Sequence, residues 1–220
     1  MRPEYLAMCP GLITCSKEHD YAERLIALIV EMARRETNII LQLLNPQEPI
    51  IYEQKYPDKP VMLANEHLCV YYHAHKNNLI SDNEHGHFHF FLNSQPGPPS
   101  HPRHLVALSI DHYGQPRAWF TVNQWVTAGA IYDRHQFHAI MSKANIHEQG
   151  SLTQNWLLSM LLFYQHEIGQ LMDTSQEVLQ TYESTLSGSE TPVCENRDIY
   201  FLRETCIDLS YDLANSTNAN

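Results

Sequence analysis

The chain has 220 residues, with 25 acidic side chains against 14 basic ones and a formal charge of −11 when histidine is counted neutral. That balance excludes non-specific binding to nucleic acid or to anionic membrane surfaces, which are themselves polyanions. Apolar residues at 43% and charged residues at 18% describe a globular chain rather than a disordered one, and the length suits a single domain over 1–220.

Pro3, Pro10 and Gly11 interrupt the N-terminal stretch, so no signal-peptide core is read there. The longest apolar runs, near Leu25–Val30 and Trp156–Tyr164, fall short of a membrane span. The expectation is a soluble, cytoplasmic protein with no membrane or nucleic-acid partner. Cys9, Cys15, Cys69, Cys194 and Cys206 form no CxxC pair, which reads as free thiols rather than a disulfide framework or a zinc ribbon.

Over 17–44 the residues Ala22, Leu25, Ile26, Ile29, Ala33, Ile40 and Leu44 recur at helical spacing, with Ser16 as N-cap and Pro46 as the stop. A proline-bearing connector follows to Lys59. The segment 61–125 reads as an antiparallel sheet. His67–His75 alternates, and after a polar loop a second strand carries Phe88, Phe90 and Leu92 on one face. Beyond the loop Gln95–Pro102, which places His101 and His104 in solvent, His104–His112 and Pro116–Asn123 flank the turn Tyr113-Gly114. Val106, Leu108 and Ile110 match Ala118, Phe120 and Val122 as an apolar side, leaving Ser109 and Asp111 with Arg117, Thr121 and Asn123 as the polar side.

The region 132–213 reads as helical, with candidates at Tyr132–Ala144, Leu152–Leu171, Thr174–Leu186 and Asp198–Leu213, and 214–220 as a flexible tail. The fold expected is α+β: an antiparallel meander of four or more strands, with N-terminal and C-terminal helices packed on its apolar face.

The functional signal is YYHAHKNNLISDNEHGHFHFF, which holds His73, His75, His85, His87 and His89 in two runs of period two. Alternate side chains of a strand share a face, so an antiparallel pair with odd residues opposite odd residues gathers all five imidazoles. A lone histidine on a strand is an ordinary solvated residue, and an exposed edge or a pH-sensitive interface is the competing account of five. Convergent neutral imidazoles suit zinc or non-haem iron, with copper also compatible. Residues i and i+2 stand about 6.5–7 Å apart, so His85 and His89 cannot easily share an ion. His75 with His85 and His87 forms one candidate set, and His73 with His87 or His89 another. Glu84, Glu66 and Asp111 are the candidate carboxylates, and Glu84 and His87 the candidate catalytic residues of a metal-dependent enzyme acting on a small-molecule substrate, with a non-catalytic metal-binding or metal-handling protein as the alternative. His166-Glu167 is a weaker candidate for a ligand brought in from a helix.

His85-Gly86-His87-Phe88-His89-Phe90-Phe91 resembles the histidine-triad signature, which implies His87 as a nucleophile toward a nucleotide α-phosphate. The proline-arginine that follows that signature is missing, and His73 and His75 have no place in it. The combination YYHAH, EHGHFHFF, HLVALSID and FTVNQWVTAG resembles an uncharacterised bacterial family of unknown function over most of 50–135. That resemblance implies a shared domain and carries no activity with it.

Overall fold

The computed structural model describes residues 11–44, 49–76, 83–93, 103–127, 134–144, 150–186 and 191–218. Six strands form one antiparallel sheet in the order of the chain: β1 (Tyr56–Leu63), β2 (Leu68–His73), β3 (Glu84–Leu92), β4 (Arg103–Asp111), β5 (Pro116–Val122) and β6 (Phe201–Cys206). The helices are α1 (Gly11–Arg34), α2 (Gln124–Thr127), α3 (Arg134–Met141), α4 (Leu152–Phe163), α5 (Gln165–Thr185) and α6 (Leu209–Asn218). The α+β class and the helix-covered apolar face agree with the expectation. Among the described residues no helix is long and apolar enough to cross a membrane.

The core lies between the sheet and the helices. Leu68, Val70 and Tyr72 of β2, Phe88, Phe90 and Leu92 of β3, Val106, Leu108 and Ile110 of β4, and Trp119 of β5 are all buried there. They meet Leu25, Leu28 and Met32 of α1 and Trp156, Leu157, Met160 and Leu161 of α4. Helix α4 starts on a capping box, in which Ser151 accepts from Gln154 N and the Gln154 side chain accepts from Ser151 N. Gln154 Nε2 also donates to Met62 O at 3.0 Å, which ties the helix start to β1.

Several boundaries differ from the sequence reading. Helix α1 ends at Arg34, not at 44, because Glu36 adopts φ 50° and Thr37 N turns back to Met32 O. Its buried stripe is Ala22, Leu25, Leu28 and Met32, while Ile26, Ile29 and Val30 face outward. The helix expected over 152–171 breaks at Tyr164, whose φ of −97° and ψ of 18° lie outside the helical region, and resumes to Thr185. The weak helix expected over 198–213 is instead β6 followed by α6, and α6 takes in Ala214–Asn218, so that stretch is no tail. On β5 the faces are exchanged. Ser109 pairs with Ala118 and Ile110 with Pro116, so the bulge at Arg117 reverses the parity. Ala118, Phe120 and Val122 therefore lie on the sheet face away from the helices, and Trp119 points into the core.

That second face is partly covered by residues far along the chain. Asn123, fully buried, donates through Nδ2 to Val193 O at 2.8 Å and Ile199 O at 3.0 Å. Trp125 Nε1 donates to Ile199 O at 2.8 Å. These bonds hold Tyr200 against Ala107, Phe120, Val122 and Val126.

Trp119, fully buried at the centre of the helix-side core, sets the scale for stability. Trp119→Ala is expected to cost roughly 3–5 kcal/mol in urea denaturation. Val30→Ala, at a side chain 53% exposed, should change stability by no more than about 0.5 kcal/mol.

Candidate metal centre

Strands β2 and β3 pair with Tyr71 opposite His89 and His73 opposite His87. This odd-to-odd register sets His73, His87 and His89 on the face away from the helices. One ring nitrogen from each lies within 4.8 Å of the others. His73 Nε2 and His87 Nε2 stand 2.8 Å apart, at hydrogen-bond distance. The three rings meet edge to face, with centroids 4.6 Å apart for His73–His87, 4.9 Å for His73–His89 and 4.8 Å for His87–His89.

Just past the end of β2, His75 adds a fourth ring, 4.6 Å from His73 and 5.1 Å from His87. Its Nδ1 donates to Glu53 Oε1 at 2.5 Å, and its Nε2 is buried with no hydrogen-bond partner. The backbone positions Glu53 there, because Glu53 N donates to Ala74 O at 2.9 Å. Glu53, His73 and His75 make a second group whose ligand atoms also lie within 4.8 Å of one another.

His85 does not join them, contrary to the expectation of five imidazoles on one face. Glu84 opposes Asp111 and Gly86 opposes Ile110, so β3 carries one extra residue at that point. Every side chain before the bulge changes face: His85 leaves the cluster and Glu84 enters it. His85 Nδ1 instead receives the Tyr72 hydroxyl at 2.5 Å, and its ring lies 5.1 Å from His112. Gly86 is required where the two strands cross so closely, since a Cβ there would stand 2.5 Å from both His73 O and the Tyr72 hydroxyl oxygen.

A second bulge brings in His104. Phe90 pairs with Val106 but Phe91 pairs with His104, so Leu105 is the extra residue of β4. His104 is not solvated, as the sequence reading had it, but 5% exposed, with Nε2 2.8 Å from His89 Nδ1.

Of the three candidate carboxylates, only Glu84 belongs to the cluster. It is 2% exposed, and Oε1 accepts from His87 Nδ1 at 3.0 Å. A carboxylate accepts only, so this bond fixes the His87 tautomer with its Nε2 lone pair facing His73. Glu66 is exposed in the β1–β2 turn, and Asp111 Oδ1 accepts from Tyr113 N and Gln115 N at 2.9 Å each. His166 is bonded to Gln170 on α5, on the helix side of the sheet, and does not approach the cluster. His101 lies outside the described residues. The sequence reading missed His104 and Glu53: the one needed the Leu105 bulge, and the other sits in a segment without periodicity.

Burial dominates the electrostatics. It holds His73 and His104 down at about 3, reinforced at both by the neighbouring His87 ring. His89 is held well below its ordinary value by burial and then by His87 and His104. For His87 burial also prevails, opposed by the bond to Glu84. Burial, then Glu53 and Glu84, push the Tyr200 phenol up to about 12. The imidazoles are thus neutral at physiological pH, the state in which a ring nitrogen can donate to a metal.

Unfolded, these histidines protonate near about 6.5, whereas folded His73 and His104 resist protonation until about 3. Between those limits the unfolded chain binds more protons, so stability rises with pH and is lost as pH falls. For the metal-free protein, each such histidine is expected to remove up to about 1.4 kcal/mol per pH unit below about 6.5. Urea midpoints measured from pH 7.5 downward check this, and a flat profile to about pH 5 would contradict it.

No curated protein and no solved structure matches the chain. The likeness of His85–Phe91 to the histidine-triad signature is not carried by any comparison, and the bulge removes His85 from the alternation on which it rests. A family model does match, over residues 19–207, so buried histidine groups that could hold a metal ion occur here in a member of the family described as "Domain of unknown function (DUF6969)", to which this chain belongs.

Proposed function

We propose that the protein is a metal-dependent enzyme acting on a small molecule, with one divalent transition-metal ion, zinc by preference, held by His73, His87 and His89. The observation that carries the reading is the convergence of three ring nitrogens within 4.8 Å on a largely buried face. Three imidazoles with no carboxylate in the group match the ligand set of catalytic zinc sites that keep a position open. Glu84 behind His87 and His104 behind His89 are the outer partners such ligands require. When bound, the ion brings the pKa of a coordinated water close to neutrality.

The protein's own groups then divide the work. Glu84 holds the His87 Nδ1 proton and so aims Nε2 inward; the pair expected to be catalytic acts here as orienting group and ligand. His75, backed by Glu53, presents a buried Nε2 without a partner, suited to accept a proton from a molecule beside the cluster. The Glu53 side chain, 63% exposed, takes up the His75 Nδ1 proton in exchange and releases it to solvent. The Phe120 ring, 5.1 Å from His87, excludes water from one side.

A second reading is favoured by the group Glu53, His73 and His75, a two-histidine, one-carboxylate set of the kind that binds iron(II). His73 is common to both sets, so the remaining residues separate them. Elemental analysis of untagged protein is expected to give one zinc per chain. His87→Ala and His89→Ala should each lose it, and Glu53→Gln should keep it. Iron that is lost in Glu53→Gln and His75→Ala but kept in His89→Ala establishes the second reading. No metal from either aerobic or anaerobic preparations defeats both. Glu84→Gln should weaken metal affinity by about 10–100-fold.

A further inference from the structure

On the same face of the sheet as the histidines, a cavity of about 430 Å³ opens at the end of β4, β5 and β6 beside the start of α6. Its origin is readable from register. Ser109 pairs with Ala118 and Ala118 with Cys206, so three small side chains lie side by side across three strands. Where larger residues would fill the surface, this row leaves a depression.

The floor is polar and unsatisfied. Ser109 is fully buried, and its Oγ has no hydrogen-bond partner. A buried hydroxyl left unpaired is costly, which makes it a group awaiting a partner. Ser109 is also the residue opposite His87 in the β3–β4 ladder, so the cavity abuts the histidine cluster.

Four charged residues line or adjoin this cavity, and two of the three carboxylates already accept backbone amide bonds. Asp208 Oδ1 accepts from Tyr211 N at 3.1 Å, capping α6. Asp111 Oδ1 accepts two turn amides. The two left over are of opposite sign. Arg117 is ion-paired with Asp111 through one nitrogen at 4.0 Å and is 53% exposed, which leaves the other guanidinium donors for a ligand. Glu204 has no hydrogen-bond or ion-pair partner among the described residues. Both line the cavity, and no ion pair joins them, so each faces the cavity un-neutralised by the other.

We propose that this cavity binds a small zwitterion of the α-amino-acid class. Arg117 takes the carboxylate, Glu204 takes the ammonium, and Ser109 Oγ supplies a hydrogen bond from the floor. A simple anion would face the like charges of Glu204 and Asp208, and a simple cation would leave the Arg117 guanidinium without a ligand group to receive it. As the substrate pocket of the histidine centre, the cavity rests on the metal reading; as a binding site, it does not.

Calorimetric titration of the metal-free and metal-loaded protein with each L-α-amino acid, and with acetate and methylammonium, separates the two claims. At least one amino acid is expected to bind both forms, and neither single-charge probe should. Arg117→Gln and Glu204→Gln, at exposed positions that do not threaten folding, should each weaken that binding by about tenfold or more and leave metal content unchanged. Ser109→Ala should weaken it less. Absence of binding by any amino acid up to about 10 mM, or affinity unaltered in both charge variants, overturns the proposal. Loss of metal content with amino-acid binding intact would instead overturn the metal reading alone.

Discussion

Because strand side chains alternate, the β2–β3 ladder could be set in either of two parities, and only one brings imidazoles together. The apolar half of the ladder makes the choice. Leu68 opposes Leu92, Val70 opposes Phe90 and Tyr72 opposes Phe88, and all six side chains are buried against the helices. Each aromatic or aliphatic burial contributes roughly 1.5–3 kcal/mol, so a slip by one residue would forfeit far more than the histidines could return. The greasy side of the hairpin selects the register, and the chemistry rides on its reverse.

That division explains what could be read from the residues alone. The period-two apolar pattern of 68–92 is unambiguous, and the placement of His73, His87 and His89 follows from it. The bulges do not. A bulge costs one residue of parity and leaves no more than a glycine as its mark, here Gly86 beneath Tyr72. With it went the placement of His85 and the true position of Glu84. The Leu105 bulge leaves no mark at all, since Leu105 and Val106 are both apolar and both buried. On β5 both faces are apolar, one packed on the helices and one on Tyr200 and Val126, so alternation could not say which was which. Strand β6 eluded the reading because FLRETC fits helix and strand periods equally, and its pairing with β5 is long-range.

The cluster's electrostatics are economical. The rings of His73, His87 and His89, with centroids within about 5 Å of one another, would repel strongly if charged, and burial removes that option by holding all three pKa values down. One carboxylate at the back, Glu84, then suffices to set the tautomer of the central ring, and a further imidazole, His104, holds the His89 ring by a hydrogen bond without adding charge. Glu53, whose side chain is 63% exposed, brings a second carboxylate to the outer edge of the cluster.

The late arrival of β6 has a consequence for how the molecule is made. Strands β1 to β5 are contiguous in the chain, whereas β6 follows α2 to α5. Until the ribosome has released that last segment, β5 stands as an open edge carrying Trp119 and Phe120, with its backbone amides and carbonyls unpaired on one side. Such an edge is a template for the wrong strand as much as for the right one, and pairing of high contact order is slow. The nascent five-stranded sheet is therefore open to mispairing at β5, and docking of β6 closes that edge in the same event that brings Tyr200 over the histidine face.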